Sequence, residues 1–367
     1  MKQILVSLVV LVLVASVMPS ALAVSQGVPI TPNINTEDFP PQVWMCDGRV
    51  VFDDAVEYGR ISRDGQELVE RINNYAFEGE QIQWDILVMD KNGIEKVADV
   101  YGTVGDSQGE GNPIEVNCQR QYVRDGSDLP RSCNARILEE RLHEFDADTM
   151  DAYTCTLTVE TPESMYGEFW ITVEAIDNDG LTGTMDENEF WFLNPIVALS
   201  IDGEMTFDDV RPGTDSYSET LLVGNDADAG SGVLLDMFIT GTDFYDSSSS
   251  GAMCPITNQL SLGAFRYFVT NGAYSTADDL EINTAGSVTR DSDAEGYVNI
   301  EYGHGFNDPS PFYDNAEILQ FPHVGPYYPG NILAPGAEMA ITFKLSLPEP
   351  CHGDFDTGAI FFWGEAI

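Results

Sequence analysis

Gln81-Ile-Gln-Trp-Asp-Ile-Leu-Val88 sets Ile82, Trp84, Ile86 and Val88 against Gln81, Gln83 and Asp85 in strict alternation. Successive side chains of an extended chain point to opposite sides, so this period of two predicts a half-buried strand. Lys91-Asn-Gly93 follows as a turn signal. Further along, Cys155, Leu157 and Val159 alternate with Thr154, Thr156 and Thr158, and Phe169, Ile171, Val173 and Ala175 alternate in the next run. Thr154 to Ala175 therefore reads as two consecutive strands broken at Pro162. Only Ala135 to Glu144 has helical spacing, through Ile137, Leu138, Arg141 and Leu142, and a strand fits it nearly as well.

The second half repeats the pattern. Apolar strands are expected at Leu221 to Val223 and Val233 to Ile239, with a turn at Asn225-Asp226. Ile341, Phe343, Leu345 and Leu347 alternate with Thr342, Lys344 and Ser346. The chain reads as all-β, with two tandem β-sandwich domains of Ig-like or jelly-roll-like type. Asn194-Pro195 separates Phe190–Phe192 from Ile196–Ile201, so the domains are expected at 40–194 and 195–367. The segment 106–148, which carries two cysteines, reads as an insertion in the first.

Residues 1–23 have the form of a cleaved signal peptide. Lys2 precedes an apolar run from Ile4 to Val17, and Ala21-Leu-Ala23 supplies the small residues that a signal peptidase requires. The run is shorter than the ~20 residues of a membrane span. The mature chain is expected to start at Val24, with 24–39 as an extended tail and no membrane insertion. Six cysteines, an even number without a C-x-x-C pair, fit an oxidising, extracellular compartment. Cys254–Cys351 is the one pairing internal to the second half. The first half allows three connectivities, of which Cys118–Cys133, closing a short loop, and Cys46–Cys155, tying the first strand to a later one, are expected. In the chain-entropy view each bridge contributes about 3 to 5 kcal/mol.

Sixteen Lys and Arg stand against 61 Asp and Glu, a formal net charge of −45. A surface of that sign repels nucleic acid and anionic lipid, which excludes both as partners. A saline habitat and a role for divalent cations account for it equally well.

Tyr166-Gly-Glu-Phe-Trp-Ile-Thr-Val-Glu-Ala-Ile-Asp-Asn-Asp-Gly180 resembles the penultimate strand and Asp-x-Asp-Gly turn of the polycystic-kidney-disease type of Ig-like domain, with Gln83-Trp84 on a central strand. The second half, with its Pro-Gly turns at Pro212-Gly213 and Pro335-Gly336, resembles TasA-type fibre and archaeal surface sandwiches. As a whole the layout resembles secreted archaeal tandem sandwiches. The first resemblance implies architecture and no activity. The second implies assembly by strand addition, with the 24–42 tail as donor.

Calcium is the one cofactor to which the turns point, since hard cations favour carboxylate and carbonyl oxygens. Asp177 and Asp179 with Asp186 and Glu187 form one candidate set, and Asp226 with Asp228 a second. Phe306, Phe312, Tyr313, Tyr327 and Tyr328, in a Gly/Pro-rich stretch, are the candidate ligand-binding aromatics. Gly105-Asp-Ser-Gln-Gly109 matches G-x-S-x-G, but a nucleophile elbow needs a helix next, and Glu-Gly-Asn-Pro follows. His143 lacks a histidine partner four residues on, so the two-histidine zinc motif is absent. The chain thus reads as a non-enzyme, secreted or at the cell surface. A structural or assembly protein, calcium-stabilised and self-associating or joined to other surface proteins, comes first. A glycan- or protein-binding adhesion module is the alternative.

Overall fold

Gln81–Met89 is the central strand of one sheet, with Ile82, Trp84, Ile86 and Val88 inside, each at most 1% exposed. The computed structural model describes residues 32–46, 50–53, 66–67, 73–129, 133, 143–185, 189–208, 210–278, 292–303, 316–322 and 327–367. The expected signal peptide and residues 24–31 of the expected tail lie outside these residues, as do 135–142 of the expected helix. Helical content among the described residues is confined to short 3-10 turns. The chain divides into a unit Met1–Asp38 and a compact unit Phe39–Ile367. Within the first, the described residues 32–38 form neither strand nor helix.

In the second unit, Gln81–Met89 is paired along both sides. Gln42–Met45 and Val50–Asp53 share one side, and Met150–Thr158 takes the other. Val97–Gly105, Gly167–Asp177 and Glu189–Leu193 build the facing sheet. Ile114–Gln121 belongs to both sheets, pairing with Val97–Gly105 through its first residues and with Met150–Thr158 through its last. The two consecutive strands expected over Thr154 to Ala175 exist as Met150–Thr158 and Gly167–Asp177, one on each side of the shared strand Ile114–Gln121, through which the two sheets are continuous. Between the sheets, Trp84 meets Trp191 edge to face at 6.5 Å, a geometry that contributes about 0.5–1.5 kcal/mol beyond burial.

The second half sets Leu199–Asp202, Asp215–Asn225, Glu338–Ser346 and Phe265–Asn271 against a sheet centred on Leu235–Gly241. Leu235–Gly241 is buried throughout, and Ile360–Ala366 pairs along its full length. Met237 and Ile239 face Ile341 and Phe343 in the core. The connection through Asn194 holds by geometry and side chain together: Asn194 adopts φ 50°, a left-handed conformation that Asn tolerates, and its Nδ2 donates to the carbonyls of Glu160 and Met165.

The two halves share core residues. Tyr75 and Phe192, from the first half, pack into the core of the second, and the Tyr75 hydroxyl donates to the Ile367 main-chain oxygen at 2.5 Å. Tyr75→Phe is expected to cost about 1 kcal/mol for the lost hydrogen bond. Tyr75→Ala should cost about 3–5 kcal/mol, as truncation of a buried aromatic does. It should also split one calorimetric transition into two, and a single unsplit transition would show that Tyr75 does not couple the halves.

Two expected disulfides are corrected. Cys46 bonds Cys133 and Cys118 bonds Cys155, beside Cys254–Cys351. The reason is facial. Cys155 points inward with Leu157 into the sandwich core, and Cys118 lies directly opposite it in register. Cys46 packs on the outer face, with Trp44 and Leu87, so the sheet itself separates it from Cys155.

Candidate functional site

The outer face of the Gln81–Met89 sheet carries a groove of about 750 Å³. That volume lies within the roughly 300–1,000 Å³ typical of ligand pockets. Its floor is the polar half of the alternation. Gln83 stands opposite Thr156, and Asp85 opposite Thr154, which in turn stands opposite Gln119, so three strands contribute one transverse row. Thr154 Oγ1 donates to Asp85 Oδ1 at 2.8 Å, which fixes both side chains.

The wall is built from the segment expected to be an insertion. Residues 122–129 and 143–149 cross the outer face, linked by the Asp128–Glu144 bridge and by Leu129 N–H to His143 O. Beneath them Trp44, Leu87, Met89, Phe145 and Met150 form a small apolar core separate from the sandwich interior. Phe145, Leu129, Val123 and the Cys46–Cys133 disulfide line the groove on that side. The polar floor follows from the strand period. The wall exists because the outward residues become apolar at Leu87 and Met89, and a covering segment must bury them.

The expected cation sites are arranged otherwise. Asp177 is 3% exposed, and its Oδ1 accepts from the amides of Asp179 and Leu181, so this carboxylate closes its own turn. Asp179 pairs with Lys96 at 3.3 Å. Asp228 Oδ2 accepts from Tyr166 Oη and Ile196 N, joining the halves directly, while Asp226 is exposed. Asp186 and Glu187 lie outside the described residues. Among the described residues no group of three or more His, Cys, Asp or Glu is placed to hold a metal ion. Of the candidate aromatics, Tyr327 and Tyr328 are half-buried, and Phe306, Phe312 and Tyr313 lie outside the described residues.

The G-x-S-x-G segment runs into the strand Ile114–Gln121, not into a helix. Its continuation docks on Glu174, whose Oε1 accepts from Gly111 N and Thr103 Oγ1 and whose Oε2 accepts from Tyr101 Oη. Ser107 Oγ donates to Asp106. The arrangement is that of a capped loop. Lys344, the other concentration of charge, is held by Asp293 at 3.0 Å, Glu295 at 3.2 Å and Asp215 at 3.3 Å, which together raise its pKa.

Sequence reading missed Gln83, Asp85, Gln119, Thr154 and Thr156 as site residues. A signal was present. In a chain with 61 Asp and Glu, the outward positions Gln81, Gln83, Asp85, Thr154, Thr156 and Thr158 include one carboxylate.

No family model and no curated protein matches the chain. Among solved structures, the C-terminal domain of the Streptococcus pyogenes antigen I/II-family protein AspA is similar at a TM-score of 0.31 and 10% identity, over 90% of this chain and 97% of that one. The C-terminal domain of the Streptococcus agalactiae antigen I/II polypeptide BspA gives 0.27 at 11% identity, over 89% and 97%. The sialic acid binding region of a Streptococcus sanguinis adhesin, bound to 3'sLn, gives 0.21 at 12% identity, over 85% and 70%. Nothing in these supports the TasA-type or archaeal resemblance, and likenesses at such scores establish neither a shared topology nor a shared ligand.

Proposed function

We propose that this protein is a non-catalytic extracellular binding module that takes a surface glycan or protein into the groove on the outer face of its first sandwich. The groove itself carries the reading: a floor of amides, hydroxyls and the Asp85 carboxylate held in register by three strands, and an apolar wall tied down by the Cys46–Cys133 disulfide. Three disulfides fit an oxidising compartment. Among the described residues no helix is long and apolar enough to cross a membrane. Self-assembly and calcium stabilisation gain no support from a specific contact among the described residues.

Thr156→Trp tests the reading, because an indole on the floor takes up space in the groove while the sheet's backbone pairing is untouched. Retention on an immobilised panel of oligosaccharides and extracellular proteins should fall by at least about tenfold, equivalent to about 1.4 kcal/mol. Ligand binding should also slow amide exchange at 119–121 and 150–156. Unchanged retention in the variant, or protection confined to the second half, would remove the groove from consideration.

A further inference from the structure

We infer that the groove selects uncharged glycans and excludes acidic ones. The inference rests on the reading of the groove as the binding site and adds the ligand's chemical class.

The described residues that line it include two carboxylates, Asp85 and Asp128, and no Lys, Arg or His. Against these described side chains a carboxylate or sulfate would lose its hydration without gaining a cation, and would face charge of its own sign. The remaining polar lining is amide and hydroxyl. Each glutamine offers both a donor and an acceptor, and threonine does the same through one oxygen. Sugar hydroxyls also donate and accept, so a neutral polyol satisfies this floor and is satisfied by it. Thr154 donates its proton to Asp85, which leaves its own oxygen able to accept, and the exposed Asp85 carboxylate can accept a strong charge-assisted bond from a hydroxyl.

The wall supplies the other half of the match. Leu129 and Val123, backed by the buried Phe145, present apolar surface on the wall beside the polar row, and a pyranose is amphipathic in the same sense, with hydroxyls at its rim and C–H groups on its face. A few placed polar groups against apolar surface is the usual make-up of a small-ligand site.

A cationic peptide is the competing ligand for an acidic surface, and the topology disfavours it. Extended peptides bind by adding a strand to an exposed edge, where main-chain hydrogen bonds supply the affinity. The floor here is a sheet face. Gln81–Met89 has neighbours on both sides, and Met150–Thr158 pairs with it throughout and with Ile114–Gln121 over Ala152–Cys155, so around the Asp85–Thr154–Gln119 row the main-chain groups are spent within the sheet.

The test uses the full oxidised protein and titration calorimetry with neutral tetrasaccharides of glucose, galactose, mannose and N-acetylglucosamine, each beside a uronic acid or sulfated counterpart, and with tetralysine. Measurements in 1 M NaCl shorten the screening length to about 3 Å, which removes the long-range repulsion of the acidic surface and leaves the local contacts. The expected result is a neutral ligand bound at least about tenfold more tightly than its acidic counterpart, in low and high salt alike, with Gln121→Lys raising the acidic counterpart's affinity by about tenfold. Acidic ligands that bind equally well in 1 M NaCl, and lose affinity in Thr156→Trp, overturn the selectivity and leave the groove as the site. Tetralysine binding without any oligosaccharide binding overturns the glycan class. Oligosaccharide binding that Thr156→Trp does not weaken overturns the groove, and binding of neither kind of probe overturns the inference.

Discussion

Replacing Cys46 and Cys133 together by serine is expected to abolish binding in the groove and to lower stability by about 4–5 kcal/mol, the chain-entropy value for a loop of this length. The two cysteines are 87 residues apart, so the bridge restrains a long stretch of the unfolded chain. Its local role is more specific. Cys46 and Cys133 both line the groove, and the bond ties the covering segment to the end of Gln42–Met45. Cys118–Cys155, by contrast, joins directly opposed residues inside the first sandwich, 37 positions apart. Its removal is expected to lower stability by a comparable amount and to weaken ligand binding less than loss of Cys46–Cys133 does, because Cys155 points into the core while the flanking floor side chains point to the opposite face. Denaturant midpoints and calorimetric affinities for both double variants check the contrast. Equal loss of affinity in the two would show that the wall is held by something other than Cys46–Cys133.

Asp236→Asn is expected to stabilise the protein above pH 7 and to leave it unchanged near pH 4. Asp236 lies on the central strand of the second half, 6% exposed, directly across from Glu365. Burial pushes its carboxyl up to about 7, aided by the charges of Glu317 and Glu365 and opposed by the hydrogen bond that Asn331 Nδ2 donates at 2.7 Å. A carboxyl raised in this way holds its proton in the folded state after the unfolded chain has released it. Its contribution to stability is therefore full below pH 4, declines as pH rises through 4 to 7, and is gone above about 7. The span from 3.8 to about 7 corresponds to about 4 kcal/mol as an upper figure. An asparagine keeps an oxygen for Asn331 without the charge. Melting temperatures of the two proteins should converge near pH 4 and differ by several degrees at pH 8. A difference that does not vary with pH would mean that Asp236 stays ionised throughout.

The neighbours of Asp236 show why this group escaped sequence reading. Asn331 is fully buried, its Oδ1 accepting from Leu319 N and its Nδ2 donating to Asp236 and to the Met237 carbonyl. Nothing in Leu235-Asp-Met-Phe-Ile-Thr-Gly241 alone marks the aspartate as buried, because an acidic residue within an apolar strand is ordinarily the solvent-facing one. The second covering layer that buries it comes from residues about a hundred positions away.

What the sequence determined by itself was periodic and local. The alternation in Gln81–Met89, Met150–Thr158 and Glu338–Ser346 specified strands and their inward faces, since a strand's side chains obey a period of two wherever its partners lie. The same alternation contained the polar row that floors the groove. Tertiary structure alone decided which strands stand side by side, and hence that Asp85, Thr154 and Gln119 form one row. It decided the disulfides too, because the choice between Cys133 and Cys155 for Cys46 depends on the face of the sheet to which each sulfur belongs. And it decided that Asp177 serves its own turn, through amides two and four residues on. Pairing, facing and capping are relations between distant segments, settled by register and burial, and one strand's pattern holds no record of its neighbour.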